Sequence, residues 1–166
     1  GSNESDKTLF LSIVRDQRSK VSAIVVEDFS EFIETLEYDH GQLSKSQYLS
    51  HPYRVATLLL QTFPDIEDEY IKLALCHNVM EVSYISTELI ETLGIDMMRY
   101  VKILTVDRAR QWNWDYKKNY YHEISKNKIT RIIKIFDKLD NMFLLPENKI
   151  KEIKQNYLSE ITNYLI

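Results

Sequence analysis

The sequence has 166 residues, a single cysteine and a formal net charge of −4 at pH 7. This length is typical of one domain, a lone cysteine excludes an internal disulfide, and mild acidity argues against general attraction to nucleic acid or anionic lipid. No apolar run approaches about 18 residues and no apolar leader opens the chain, so we expect a soluble, cytoplasmic protein that binds neither membranes nor nucleic acid.

Helices are predicted along the whole chain because three glycines and three prolines supply few turn signals. Gly1 and Ser2 look like a cloning remnant, and residues 1–20 are expected to hold this remnant and a first helix. Apolar residues at spacings of three and four predict further helices over 21–36, 52–62, 66–80, 87–93, 97–103, 112–124, 130–145 and 150–165. Gly94 suits the position that follows a helix end.

Strands are not favoured, because the two β-branched runs at 22–26 and 132–135 have no hairpin partner. We find no internal repeat and no low-complexity segment. The sequence therefore predicts an all-α fold, with a compact single-domain bundle of seven to nine helices over residues 21–166.

Polar side chains interrupt two otherwise apolar helices. His77 and Asn78 lie in the first, and Glu81 follows one turn after His77 on the same predicted face. Asp137 and Asn141 are four residues apart and line one stripe of the second. A polar group in an apolar helix costs free energy unless a hydrogen bond or a ligand satisfies it. Both helices therefore hold candidate functional residues.

Four histidines are present, and a histidine in a helical protein is usually a packing or surface residue, as we expect for His40 and His122. His51 precedes a proline that suits a first helical turn, which places it at a helix N-terminus. Structural alternatives exist for each candidate. They are a core hydrogen bond for His77, a helix cap for His51 and a surface salt bridge for Asp137.

Four segments follow one another at regular spacings: YLSHPYRVA at 48–56, ALCHNVMEVS at 74–83, YVKILT at 100–105 and KIFDKLDNM at 134–142. Together they resemble the HD superfamily of metal-dependent phosphohydrolases, whose signature is a His, a His-Asp pair and a later Asp on separate helices. Within that superfamily the segments are most similar to the guanosine-polyphosphate (ppGpp) hydrolase domains of the RelA/SpoT type. The resemblance covers about residues 40–145 and implies an HD-type helical fold and a guanine nucleotide, or another phosphorylated small molecule, as substrate.

The resemblance also implies a divalent metal bound by His51, His77 and Asp137, with Asn78 as a weak fourth ligand. Two imidazoles with oxygen donors suit manganese, with iron or zinc as alternatives, better than calcium. Because buried polar groups tend to satisfy one another, these four side chains are expected to converge.

In the same pattern, Glu81 would orient or deprotonate the attacking water, and Asn141 would position water or substrate. Phosphate contacts are expected from four basic residues near the motifs, with solvated surface charge as the alternative for each: Lys45, Arg54, Arg108 and Lys138. An aromatic cluster is expected either to cover a purine ring or to belong to the core: Trp112, Trp114, Tyr120 and Tyr121.

Two positions depart from the family pattern. Asn78 replaces the metal-binding Asp, and an amide oxygen lacks the negative charge that holds a divalent cation. Val82 replaces the acidic residue that follows Glu81. Three hypotheses remain: a weakened hydrolase, an inactive HD pseudoenzyme that senses a nucleotide or binds a protein, and an Asn78 that was engineered to trap substrate. Val82 argues against the third, since a trapping variant needs one change only.

Overall fold

The computed structural model describes residues 3–84, 86–143 and 159–160. These residues form eight α-helices and two 3₁₀ helices and contain no strand. The predicted all-α class and the predicted number of helices are therefore confirmed. None of the described helices is long and apolar enough to cross a membrane. The chain divides into two units, Gly1–Thr105 and Val106–Ile166, which are described separately below.

The first unit contains six α-helices and one 3₁₀ helix. Helix α1 packs along α3, and α4 packs against both α2 and α3, so α3 and α4 are neighbours near the centre of the unit. The largest fully buried side chains here are aromatic and aliphatic: Phe10, Phe29, Ile33, Leu49, Tyr53, Leu59, Leu60, Ile71, Leu73, Leu75 and Leu89. The elements are α1 (Asn3–Gln17), α2 (Lys20–Thr35), α3 (Lys45–Thr62), α4 (Asp68–Cys76), a 3₁₀ helix (Val79–Glu81), α5 (Thr87–Leu93) and α6 (Ile95–Leu104).

Helix α3 begins earlier than predicted. The Ser44 side chain accepts a hydrogen bond from the Gln47 backbone N–H, and the Gln47 side chain accepts one from the Ser44 backbone N–H. This capping box starts the helix at Lys45, so His51 and Pro52 lie inside it. The predicted position of His51 at a helix N-terminus, and its alternative role as a cap, are therefore wrong. Pro52 is accommodated although it cannot donate a backbone hydrogen bond.

Helix α4 ends at Cys76, four residues before the predicted end at 80. His77 keeps helical backbone angles, but Asn78 has φ −117° and ψ 13° and leaves the helix. The Asn78 carbonyl then accepts hydrogen bonds from the Glu81 backbone N–H and the Tyr48 hydroxyl, both at 3.1 Å. A contact with α3 therefore stabilises this end. Glu81 lies on a 3₁₀ helix and not one α-helical turn beyond His77.

The second unit contains a 3₁₀ helix (Arg108–Arg110), α7 (Trp114–Ser125) and α8 (Lys128–Phe143). The Asn113 side chain caps α7 by accepting a hydrogen bond from the Tyr116 backbone N–H. Residues 159–160 are also helical. The rest of the predicted final helix over 150–165, and the last two residues of the helix predicted over 130–145, lie outside the described residues.

Candidate metal centre and its surroundings

Two histidines of the first unit lie side by side. Helix α3 carries His51 and the end of α4 carries His77, and their ring centroids are 5.4 Å apart with an angle of 66° between the planes. His77 is 2% exposed, and His51 is partly buried. The structure thus brings together the two histidines that the sequence singled out, although 26 positions separate them in the chain.

A hydrogen bond orients the His77 ring. Its Nδ1 lies 2.7 Å from the Ala74 carbonyl oxygen, which can only accept, so Nδ1 carries the proton. In the neutral ring the lone pair is then on Nε2. Metal-binding histidines almost always donate their other ring N–H to a carbonyl or a carboxylate in this way. This bond also fulfils the predicted structural role of a core hydrogen bond, so it is compatible with both interpretations of His77.

The segment that follows His77 forms hydrogen bonds with residues elsewhere in the first unit. The Val82 carbonyl accepts a hydrogen bond from the Asp39 backbone N–H at 2.7 Å, in addition to the Tyr48–Asn78 bond described above. The Val82 side chain is buried, at 5% exposure, whereas Asn78 and Glu81 are partly buried. Asn78 and Glu81 are therefore partly accessible to solvent, and position 82 belongs to the core.

Two aromatic rings pack near Tyr48, whose hydroxyl binds this segment. The Tyr48 ring centroid lies 5.1 Å from that of Tyr38 and 6.1 Å from that of His40. Burial, with added effects of Cys76 and Glu34, raises the pKa of Tyr38 well above its ordinary value. His40 Nδ1 accepts hydrogen bonds from the backbone N–H groups of residues 42 and 43, so His40 shapes a loop, as expected for a packing residue.

Burial favours the protonated form of the only cysteine. Cys76 is buried next to His77 in the chain, and burial raises the pKa of its thiol well above the ordinary value. A thiol that stays protonated is a weak metal ligand. The donors that lie side by side in the first unit are the imidazoles of His51 and His77, a pair that suits manganese, iron or zinc.

Asp137 lies on α8 of the second unit and is buried. Its carboxylate forms an ion pair with Lys134 at 3.0 Å, and the Lys134 ammonium also lies 5.2 Å from the Tyr120 ring centroid. Burial alone lowers the pKa of Lys134, but Asp137 and the two neighbouring tyrosines together raise it well above its ordinary value. The salt bridge proposed as an alternative role for Asp137 therefore exists, but it is buried and not at the surface. Asn141 follows one turn later and is partly buried.

Two of the predicted phosphate contacts have acidic partners. In the first unit Arg54 pairs with Asp6 at 2.8 Å, and in the second Lys138 pairs with Glu160 at 3.0 Å. Burial and the nearby Lys134 lower the pKa of Lys138. The other two are exposed: Lys45, whose ammonium lies 5.5 Å from the Tyr38 ring centroid, and Arg108 on a 3₁₀ helix.

The aromatic residues of the second unit divide into two groups. Tyr120 and Tyr121 are buried, as predicted for core residues, and the Tyr121 hydroxyl donates to Glu160 at 2.9 Å. Trp112 and Trp114 are 84% and 74% exposed, so they do not belong to a core. Their predicted role against a purine ring stays a prediction.

Sequence reasoning missed one partner of a candidate residue in each unit. Tyr48 belongs to the first motif, but the sequence analysis predicted no role for it. It lies three residues before His51 and therefore on the same helical face. Lys134 was also missed, although it precedes Asp137 by the same interval. An i, i+3 spacing on a predicted helix was therefore an available signal in both cases.

Comparison with protein-family models found no matching family, and comparison with curated proteins found no significantly similar sequence. The likeness to HD phosphohydrolases therefore stays a prediction from the four motifs. The His51–His77 pair is the structural observation that favours it.

Proposed function

We propose that this protein is an HD-type metal-dependent phosphohydrolase that acts on a nucleotide, with guanosine polyphosphates such as ppGpp as the preferred class. One observation carries the proposal. The ring centroids of His51 and His77, which lie on two different elements, are 5.4 Å apart, and the Ala74 carbonyl binds His77 Nδ1, so that Nε2 is the nitrogen that would bind a cation. Two neighbouring imidazoles fit a manganese, iron or zinc ion.

In this proposal His51 and His77 hold the ion, Asp137 supplies the carboxylate that the sequence pattern assigns to it, and Asn78 adds a neutral oxygen. The bound ion would neutralise charge on a phosphate oxygen and make water a nucleophile near neutral pH. Glu81, which is partly buried, would accept the proton of that water. Asn141 would orient the water or the substrate.

The proposed phosphate contacts differ in whether binding a phosphate would break an existing ion pair. Lys45 and Arg108 are exposed and can meet a polyphosphate directly. Arg54 and Lys138 would exchange the carboxylates of Asp6 and Glu160 for phosphate oxygens. We therefore expect the exposed pair to contribute more to substrate affinity.

The test uses variants that separate metal binding from folding. His77→Asn keeps a side-chain N–H in the place of Nδ1, so it can still donate to the Ala74 carbonyl, but it removes Nε2. His122→Asn changes an exposed histidine on α7 and serves as the matched control. Metal analysis and a Mn²⁺ titration should find one ion per chain for wild type and for His122→Asn, and at least tenfold weaker binding for His77→Asn.

Two results would contradict the proposal. One is a wild-type protein that binds none of manganese, iron or zinc, and the other is a His77→Asn variant that binds as tightly as wild type. For a protein that binds metal, release of pyrophosphate from ppGpp then tests the reaction itself.

A second candidate function is an inactive HD pseudoenzyme that senses a nucleotide or binds a protein partner. The burial of Val82 favours it, because a catalytic carboxylate is replaced by a side chain that packs in the core. Binding of ppGpp without release of pyrophosphate, in protein loaded with manganese, would support this second function.

A further inference from the structure

We infer that Tyr48 is a positioning residue that holds His77 in place opposite His51. The inference rests on the proposed function, since it concerns the same two histidines. Tyr48 has no part in the metal-binding set that the sequence motifs imply. Its role follows from where its hydroxyl and its ring lie.

Helix α3 touches two consecutive residues at the end of α4. Tyr48 and His51 are three residues apart on α3, so they project from one face of that helix. The His51 ring lies against the His77 ring, and the Tyr48 hydroxyl donates to the Asn78 carbonyl at 3.1 Å. A single rigid element therefore sets both the ring of His77 and the backbone that follows it.

The Tyr48 bond acts where α4 no longer provides helical hydrogen bonds. Helix α4 ends at Cys76, and the Asn78 carbonyl accepts from the Glu81 backbone N–H in a tighter 3₁₀ pattern. His77 is thus constrained on its helical side by the Ala74 carbonyl and on its far side by Tyr48. Without the Tyr48 hydroxyl, the far side would keep the 3₁₀ helix and the Asp39–Val82 backbone bond, which lies four residues beyond Asn78.

The Tyr48 ring keeps its own position through aromatic packing. It is buried, and the rings of Tyr38 and His40 lie on it with centroids at 5.1 and 6.1 Å. Tyr48→Phe should therefore leave the ring in place and remove the bond to Asn78. Tyr53→Phe is a matched control on the same helix, because it removes a buried hydroxyl that donates to Glu34 at 3.0 Å.

The experiment measures Mn²⁺ affinity by titration and, in metal-free protein, the hydrogen exchange of backbone amides in residues 77–83. We expect Tyr48→Phe to weaken Mn²⁺ binding about tenfold, as loss of a partner that orients a ligand typically does. We also expect faster exchange in residues 77–83 for this variant. Tyr53→Phe should change the Mn²⁺ dissociation constant by less than about twofold and leave exchange in residues 77–83 near that of wild type.

The outcomes separate the inference from the proposed function. If wild type binds Mn²⁺ and both phenylalanine variants bind it equally well, Tyr48 does not position the histidines, while the metal site stands. Equal weakening by both variants would also overturn the inference, because it would reveal a general effect of lost stability. A wild type that binds no metal would instead refute the proposed function, and unchanged exchange in Tyr48→Phe would then refute the local role of Tyr48 as well.

Discussion

Replacing Val82 by aspartate restores the acidic residue of the HD pattern at a position that the fold has made part of the core. The Val82 side chain is 5% exposed. Its backbone N–H donates to the Val79 carbonyl at 3.2 Å, and its carbonyl accepts from the Asp39 N–H at 2.7 Å. Because both backbone groups are fixed, the new carboxylate cannot easily turn towards water. We therefore expect Val82→Asp to destabilise the first unit.

The expected cost has two contributions. Loss of a buried valine side chain removes about 1.5–3 kcal/mol of apolar burial. Burial of an unsatisfied polar group adds about 1–3 kcal/mol in mutational data. The sum is roughly 2.5–6 kcal/mol, which lowers the melting temperature by on the order of 10 °C in a chain of this size.

The assay is urea and thermal unfolding, with Val21→Asp as the control. Val21 lies on α2 and is 74% exposed, so the same substitution there should change the free energy of unfolding by less than about 0.5 kcal/mol. Burial raises the pKa of a carboxyl group in the folded state above its unfolded value of about 4. The cost of Val82→Asp should thus be full at pH 7 and should shrink as the pH falls towards 4.

Two results would refute this argument. Unfolding of Val82→Asp at the wild-type denaturant concentration would mean that the side chain at position 82 reaches water. Recovery of wild-type stability on addition of Mn²⁺ would mean that the carboxylate reaches the proposed ion. In either case the second acidic residue of the HD pattern could be restored by one change, and the argument for a pseudoenzyme would lose its main support.

Two further predictions concern metal affinity and alkaline stability. Asn78→Asp adds a negative charge next to His77 in the chain, so a Mn²⁺ titration should find binding stronger by on the order of 1–3 kcal/mol. Unchanged affinity would mean that position 78 is not a ligand. Burial, with Glu160 nearby, raises the pKa of Tyr121 despite the opposing effect of Lys134. Tyrosine ionises in the unfolded chain at about pH 10, so the stability of the fold should decrease as the pH rises above that value. Between about pH 8 and pH 10.5, the free energy of unfolding should decrease less for Tyr121→Phe than for Tyr84→Phe, the control at an exposed tyrosine. Equal decreases in the two variants would contradict this role of Tyr121.

The sequence alone was sufficient for the helical class and for several element ends. Spacings of three and four between apolar residues are a local property, and they located α2, α5 and α8 to within a few residues in the described part of the chain. Gly94 was predicted to follow the end of α5, and its positive φ of 95° in the structure is accessible to glycine and strained for other residues. The start of α3 was also readable, since Ser44 and Gln47 have capping-box spacing, but Pro52 was given greater weight.

For the candidate site, the motifs selected His51 and His77, and the fold placed their rings together. What the sequence could not provide was the local geometry around them. The end of α4 at Cys76 coincides with a hydrogen bond from Tyr48, which is 30 positions away from Asn78 in the chain. The burial of Val82 likewise results from packing in the folded unit and not from its neighbours in the sequence.

The difference between these two groups of features has a physical reason. Helix formation and helix caps depend on hydrogen bonds and side-chain spacings within about four residues, so a single sequence records them directly. The orientation of His77, the end of α4 and the burial of Val82 depend on which distant side chains pack against them. Only the tertiary structure decides those contacts, because each is one of many apolar or polar pairings that the same local sequence permits.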